Sequence, residues 1–150
     1  MNIIINNIKE LTSRPDFDTY FMSMSYLASS RSTCDRLHVG CLVVKDKHVI
    51  ATGYNGNIAG LPHDSLIIDN HEQLTIHAEM NAICYSNLNG TSLKDSTVYI
   101  THFPCLKCTQ LLLTCKISKI FYHEDYKNDS NVISLCAQCN VPLIKLEIVN

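Results

Sequence analysis

Residues Ser96 to Tyr122 read STVYITHFPCLKCTQLLLTCKISKIFY, and the fold is decided within that run. Ser96-Thr-Val-Tyr-Ile-Thr101 is mostly β-branched or aromatic, the composition of a pleated, half-buried strand. Pro104 lacks the N–H that the first turn of a helix leaves unpaired anyway, so a helix opens there and runs to about Cys115. Ile117 to Tyr122 returns to strand composition. The run therefore predicts β-α-β.

Outward from it, Ile76 to about Leu88 contains good helix formers with no glycine or proline before Gly90, and predicts a second helix. Val39 to Val44 and His48 to Gly53 are two strands joined by the polar link Lys45-Asp-Lys47, a hairpin. Between Asp16 and Ser30 the apolar residues Phe17, Tyr20, Phe21, Met24, Leu27 and Ala28 recur at helical spacing. Leu61 to Thr75 is polar and reads as a loop near the site with one helical turn. A helix from about Ser130 to Gln138 and a strand from Leu143 to Val149 complete the series. About five strands with helices on both sides make an α/β, three-layer α/β/α domain. The 150 residues suit one domain, with residues 1–15 an N-terminal extension.

Hydrophobic residues at 46% and charged residues at 17% exclude a disordered tail. Twelve Lys and Arg are scattered among fourteen acids for a net charge of −2, which argues against a polynucleotide partner because no basic stripe stands out. The start, MNIIINNIKELTSRPDF, lacks the features of a secretory signal, and no later run approaches the roughly 18 apolar residues of a membrane span. A cytoplasmic protein without a membrane partner is expected. Its eight cysteines then read as thiols and metal ligands rather than disulfides. Cys41, Cys84 and Cys115 lie in apolar contexts and read as small buried hydrophobes.

Two motifs stand at the amino ends of the two central helices, His77-Ala78-Glu79 and Pro104-Cys105-Leu106-Lys107-Cys108. One imidazole and two thiolates supply three ligands for Zn²⁺ and leave the fourth tetrahedral position open, the pattern of a catalytic site. Zinc lowers the pKa of a bound water toward neutrality. Glu79, two residues beyond the histidine, reaches that water without competing for the metal and serves as general base and acid. The C-x-x-C pair also fits a thiol redox pair, or half of a structural Cys₄ site with Cys136-Ala-Gln-Cys139. A four-cysteine site leaves His77-Ala-Glu79 without a role, and Cys136 and Cys139 read as core thiols near a helix end.

H-x-E followed by P-C-x-x-C is the signature of zinc-dependent cytosine and adenine deaminases. Together with Arg31-Ser-Thr-Cys-Asp-Arg-Leu-His-Val-Gly40, Gly53-Tyr-Asn-Gly56, Thr75 to Ile83 and Tyr99 to Cys105, it resembles the deoxycytidylate (dCMP) deaminase family, from about Phe21 to Val149. The resemblance implies a cytidine-deaminase-like fold. It implies hydrolysis of dCMP to dUMP and ammonia, supplying dUMP for thymidylate synthesis. His77, Cys105 and Cys108 match the zinc ligands and Glu79 the proton shuttle. Asn55 matches a residue that binds the sugar 3′-hydroxyl, and a bidentate amide suits that task because it donates and accepts at once. Ala78 is a further substrate contact, and Arg36 and Tyr126 are chosen for the phosphate because a guanidinium offers a planar fork.

The family resemblance further implies a hexamer activated by dCTP with Mg²⁺ and inhibited by dTTP, with Gly56 and Gly60 in a loop whose amides approach phosphate. It also implies a second, structural zinc on Cys34, His63 and His71, with Asp64 or Glu72 as an oxygen ligand, although the loop before His77 lacks the cysteines relatives often carry. The runners-up are a deaminase of dCTP, cytidine or cytosine, a tRNA adenosine deaminase, riboflavin-pathway and guanine deaminases, and a non-enzymatic zinc-stabilised interaction module.

Overall fold

The computed structural model describes residues 2–147. Helices α1 (Asn2–Lys9) and α2 (Phe17–Ser29) precede strands β1 (Gly40–Lys45) and β2 (His48–Tyr54). Two short strands follow, β3 (Ile67–Ile68) and β4 (His71–Glu72), and then α3 (Ala78–Leu88). The decisive run forms β5 (Thr97–His102), α4 (Leu106–Thr114) and β6 (Lys119–Glu124), and the chain continues as α5 (Ser130–Gln138) and β7 (Leu143–Lys145). The main sheet has the order β2-β1-β5-β6-β7. β1 is antiparallel to both β2 and β5, whereas β5 with β6 and β6 with β7 are parallel. This is the three-layer α/β/α arrangement with five strands.

The pleat sorts the side chains into two cores. On one face Cys41, Val43, Val98, Ile100 and Ile120 pack with Ala78, Ala82, Leu112 and Val132 of α3, α4 and α5. Their neighbours in sequence, Leu42, Val44, Tyr99 and Phe121, point the other way and meet Phe21 and Met22 of α2. Two glycines set how close the helices come. A Cβ on Gly40 would stand 1.9 Å from the Ser25 carbonyl oxygen in α2, and one on Gly53 would stand 2.0 Å from that of Ala78 in α3. Backbone thus rests on backbone where each helix crosses the sheet.

Several boundaries differ from expectation. Pro104 lies before the helix rather than inside it, because Cys105 is the cap of α4 and its Sγ accepts from the Cys108 amide. The 61–75 stretch has no helical turn and forms the hairpin β3–β4 instead, in register Ile67 with Glu72 and Ile68 with His71. Asp69 and Asn70 make its turn with φ of 49° and 61°, a left-handed conformation that these two residue types tolerate better than most. The last strand ends at Lys145, and the final residues assigned to it, Ile148 and Val149, lie outside the described residues. Cys84 and Cys139 are exposed rather than buried; Cys41 and Cys136 are core thiols. Among the described residues no helix is long and apolar enough to cross a membrane.

Candidate active site

The two motifs meet at the carboxyl end of β5, beside the junction where its antiparallel and parallel neighbours diverge, the usual place for a ligand in an α/β sheet. His77 caps α3 with extended backbone and makes no side-chain capping bond, so its ring is free to turn toward α4. Its Nδ1 lies 3.6 Å from Cys105 Sγ and 3.5 Å from Cys108 Sγ. A tetrahedral zinc with ordinary Zn–S and Zn–N lengths holds sulfur and nitrogen about 3.6 Å apart, so the spacing fits that ion. All three ligand atoms lie within 4.8 Å of one another, and among the described residues no other cluster of this kind exists.

The electrostatics fit as well. The hydrogen bond from Cys108 lowers the Cys105 thiol to about 4, assisted by His77, while Cys108 is driven up by the same bond and by burial. Two sulfurs sharing one proton need a cation between them for both to ionise. The hydrogen bond with Cys105 raises the His77 imidazole against the opposing effect of burial. Both helix amino termini add positive dipole ends beside the sulfurs. Glu79 is only 4% exposed, and burial moves its carboxyl up from the ordinary carboxylate range. A hydrogen bond with the Cys108 side chain acts in the opposite direction to burial.

One cavity gathers most of the residues singled out in the sequence. His77, Ala78, Glu79 and Cys105 line it on the motif side, and Arg36, Asn55 and Tyr126 elsewhere. Cys108 is buried behind them. Arg36 and Tyr126, ninety residues apart, are in contact: Arg36 Nη2 donates to Tyr126 Oη at 3.3 Å, and Nη1 donates to the Asn70 carbonyl at the hairpin tip.

Asn55 stands differently from the sequence argument. Its Oδ1 accepts from the Val39 amide at 2.7 Å and the Ser32 hydroxyl at 2.8 Å, and its Nδ2 donates to the Leu37 carbonyl at 2.7 Å. Both acceptor sites and one donor are taken by the 32–39 segment, leaving a single N–H for a ligand. Asn55 thus anchors the segment that carries Arg36.

The second-zinc set is not assembled. Cys34 and His71 line the cavity, His63 does not, and the three form no cluster of ligating distance. The Glu72 carboxylate instead accepts from the Ser65 hydroxyl and from the Leu66 and Leu74 amides, closing the hairpin with hydrogen bonds. The Gly56 amide is also engaged: it donates to the Ile76 carbonyl at 3.1 Å, so it has no proton to offer a phosphate. Gly60 is open, with φ of 85° and nothing within 4 Å of where a Cβ would stand, and lies outside the cavity. Sequence reasoning missed His102 and Lys127, which line the cavity too. The available signal was position, one at the end of the strand leading to Pro104-Cys105 and one beside Tyr126.

Comparison with known proteins agrees with this geometry. A family model described as the cytidine and deoxycytidylate deaminase zinc-binding region matches residues 15–124. ComE operon protein 2 of Bacillus subtilis is 41% identical over 139 residues, covering 90% of this chain and 74% of that protein. The deoxycytidylate deaminase of Mycobacterium phage D29 is 35% identical over 128 residues, covering 75% of this chain and 98% of that protein. The match spans only 40% and 44% of the longer deoxycytidylate deaminases of Saccharomyces cerevisiae and Schizosaccharomyces pombe. The crystal structure of the dCMP deaminase from cyanophage S-TIM5, in complex with dCMP and dUMP, superposes with a TM-score of 0.80 at 27% identity, over 89% of this chain and 99% of that one. With His77, Cys105 and Cys108 poised as a ligand set above a buried Glu79, and a family model spanning most of its length, the chain belongs to the cytidine and deoxycytidylate deaminase zinc-binding family.

Proposed function

We propose that the protein is a zinc-dependent deaminase that hydrolyses dCMP to dUMP and ammonia, with the whole chain a single catalytic domain bearing an N-terminal extension. The observation that carries this reading is one cavity holding the His77, Cys105 and Cys108 set with Glu79 and, in the same lining, the Arg36–Tyr126 pair. The likeness to a phage dCMP deaminase solved with dCMP and dUMP supports the choice of substrate.

His77, Cys105 and Cys108 hold the metal, which when bound makes a water nucleophilic near neutral pH. Glu79 accepts a proton from the water whose oxygen bonds to C4 and passes it to N3 of the cytosine ring; it then carries the remaining proton of the C4 hydroxyl to the amino nitrogen, so that the C4 carbonyl forms as the C4–N bond breaks and ammonia leaves. Burial suits it to this work, because a carboxyl displaced toward neutral pH both takes and releases a proton readily. Arg36 and Tyr126 face the 5′-phosphate, and Asn55 holds the Arg36 segment while offering one N–H to the sugar.

By the same family likeness we extend the proposal to a cytoplasmic homo-oligomer, a hexamer, whose activity responds to dCTP with Mg²⁺ and to dTTP. Ammonia release is measured on the zinc-loaded protein with dCMP, deoxycytidine and dCTP in parallel, each with and without dCTP and Mg²⁺. Preference for dCMP over deoxycytidine by at least about tenfold in kcat/KM is the expected result, since a charge-assisted phosphate contact is worth that much. Equal turnover of the nucleoside overturns the nucleotide assignment.

A further inference from the structure

Thr101 is completely buried and carries one hydroxyl proton. The Gly40 amide donates to its Oγ1 at 3.1 Å, and the other partner of that oxygen is Nδ1 of His102 at 2.9 Å. No other described group accepts the hydroxyl proton, and a buried hydroxyl left without an acceptor is costly. Thr101 therefore donates to Nδ1, which places the imidazole proton of His102 on Nε2. Burial, the largest influence on this ring, also favours its neutral form.

His102 ends β5 and lines the cavity. Its ring meets that of Tyr126 edge to face, with centroids 6.2 Å apart and planes at 88°. Tyr126 in turn accepts from Arg36, so His102, Tyr126 and Arg36 form a contiguous row. No described group accepts a hydrogen bond from Nε2. A cytosine carries its sugar on N1, across the ring from C4, so with C4 presented to Glu79 the phosphate lies away from the motif residues, and this row lines the same cavity. A phosphate monoester offers three acceptor oxygens, each with more than one lone pair, so it has room for a further donor beside Arg36 and Tyr126.

We infer that His102 is a specificity-determining residue: Thr101 fixes its tautomer, and its Nε2–H donates to the phosphate of the nucleoside monophosphate. The inference rests on the dCMP deaminase reading and deepens it. The residue discriminates nucleotide from nucleoside without taking part in the chemistry at C4.

The test compares kcat and KM for dCMP and deoxycytidine in the zinc-loaded wild type and in His102→Leu, His102→Gln and His102→Asn. Glutamine places an N–H where Nε2–H stands, whereas asparagine places its amide where Nδ1 stands. Expected are a rise of about ten- to a hundredfold in KM for dCMP in His102→Leu, the loss of a hydrogen bond to a charged group, with kcat little changed and deoxycytidine turnover unaffected. His102→Gln recovers most of the loss and His102→Asn does not. A dCMP KM within about twofold of wild type in His102→Leu overturns the inference, as does an equal loss for dCMP and deoxycytidine. Should His102→Leu fail to fold, the glutamine and asparagine pair decides: equal KM values for dCMP overturn it. A wild type that does not distinguish dCMP from deoxycytidine sinks the underlying reading instead, before any variant is made.

Discussion

Gly53 of β2 lies directly beneath Ala78 of α3, so close that a Cβ on the glycine would stand 2.0 Å from the Ala78 carbonyl oxygen and 2.7 Å from the Ala82 amide. That contact sets the height of α3 above the sheet, and with it the placement of His77 and Glu79 at the helix start. Gly53→Ala is expected to lift α3, cost about 1–3 kcal/mol of stability, and lower kcat of the protein that remains folded. Gly40→Ala makes an equally close contact, with Ser25 in α2 on the opposite face, and is expected to lose stability while keeping kcat per folded molecule. Chemical denaturation alongside steady-state kinetics separates the two.

Glu79→Gln removes the proton acceptor and keeps the shape of the side chain. Turnover should fall by about 10²–10⁴-fold or more, with one zinc per chain still bound and the thermal midpoint nearly unchanged. Metal content by elemental analysis is the check. A parallel loss of zinc contradicts the role assigned to Glu79, since only His77, Cys105 and Cys108 are placed as ligands.

Removing zinc with a chelator should leave the Cys105 thiol open to reaction. Its pKa is lowered to about 4, so it is a thiolate above that pH and a thiol below it. Alkylation near pH 6 is expected at Cys105, whose sulfur is exposed and already ionised at that pH. Zinc reloading should protect Cys105. Peptide mapping of alkylated protein with and without zinc tests both statements.

Asn55→Asp turns the donor that meets the Leu37 carbonyl into an acceptor, setting a carboxylate oxygen against it in a buried site. A cost of about 1–3 kcal/mol is expected, together with a raised KM for dCMP because the Arg36 segment loosens. If Asn55 only touched the sugar, KM would rise with no loss of stability. Thermal unfolding and kinetics of the same preparation distinguish these outcomes.

The amino-acid sequence by itself determined the layering and the metal-site motifs of this protein. Alternation at Cys41-Leu-Val-Val44 and Val98-Tyr-Ile100 sends successive side chains to opposite cores, and that period of two is a local property of a strand. The pairing of His77-Ala-Glu79 with Cys105 and Cys108 was equally legible, because ligand type and spacing by themselves state which ion fits. Only the tertiary structure decided which distant residues share the cavity: that Tyr126 meets Arg36, that His102 stands beside Tyr126, and that Asn55 is occupied by residues 32–39. It also decided that Cys34, His63 and His71 form no ligand cluster and that Glu72 closes a hairpin. The physical reason is that these facts concern loops and strand ends, whose courses follow from hydrogen bonds and packing between segments far apart in the chain. No periodicity or composition within a loop records which backbone group a side chain will find when the sheet has brought the segments together.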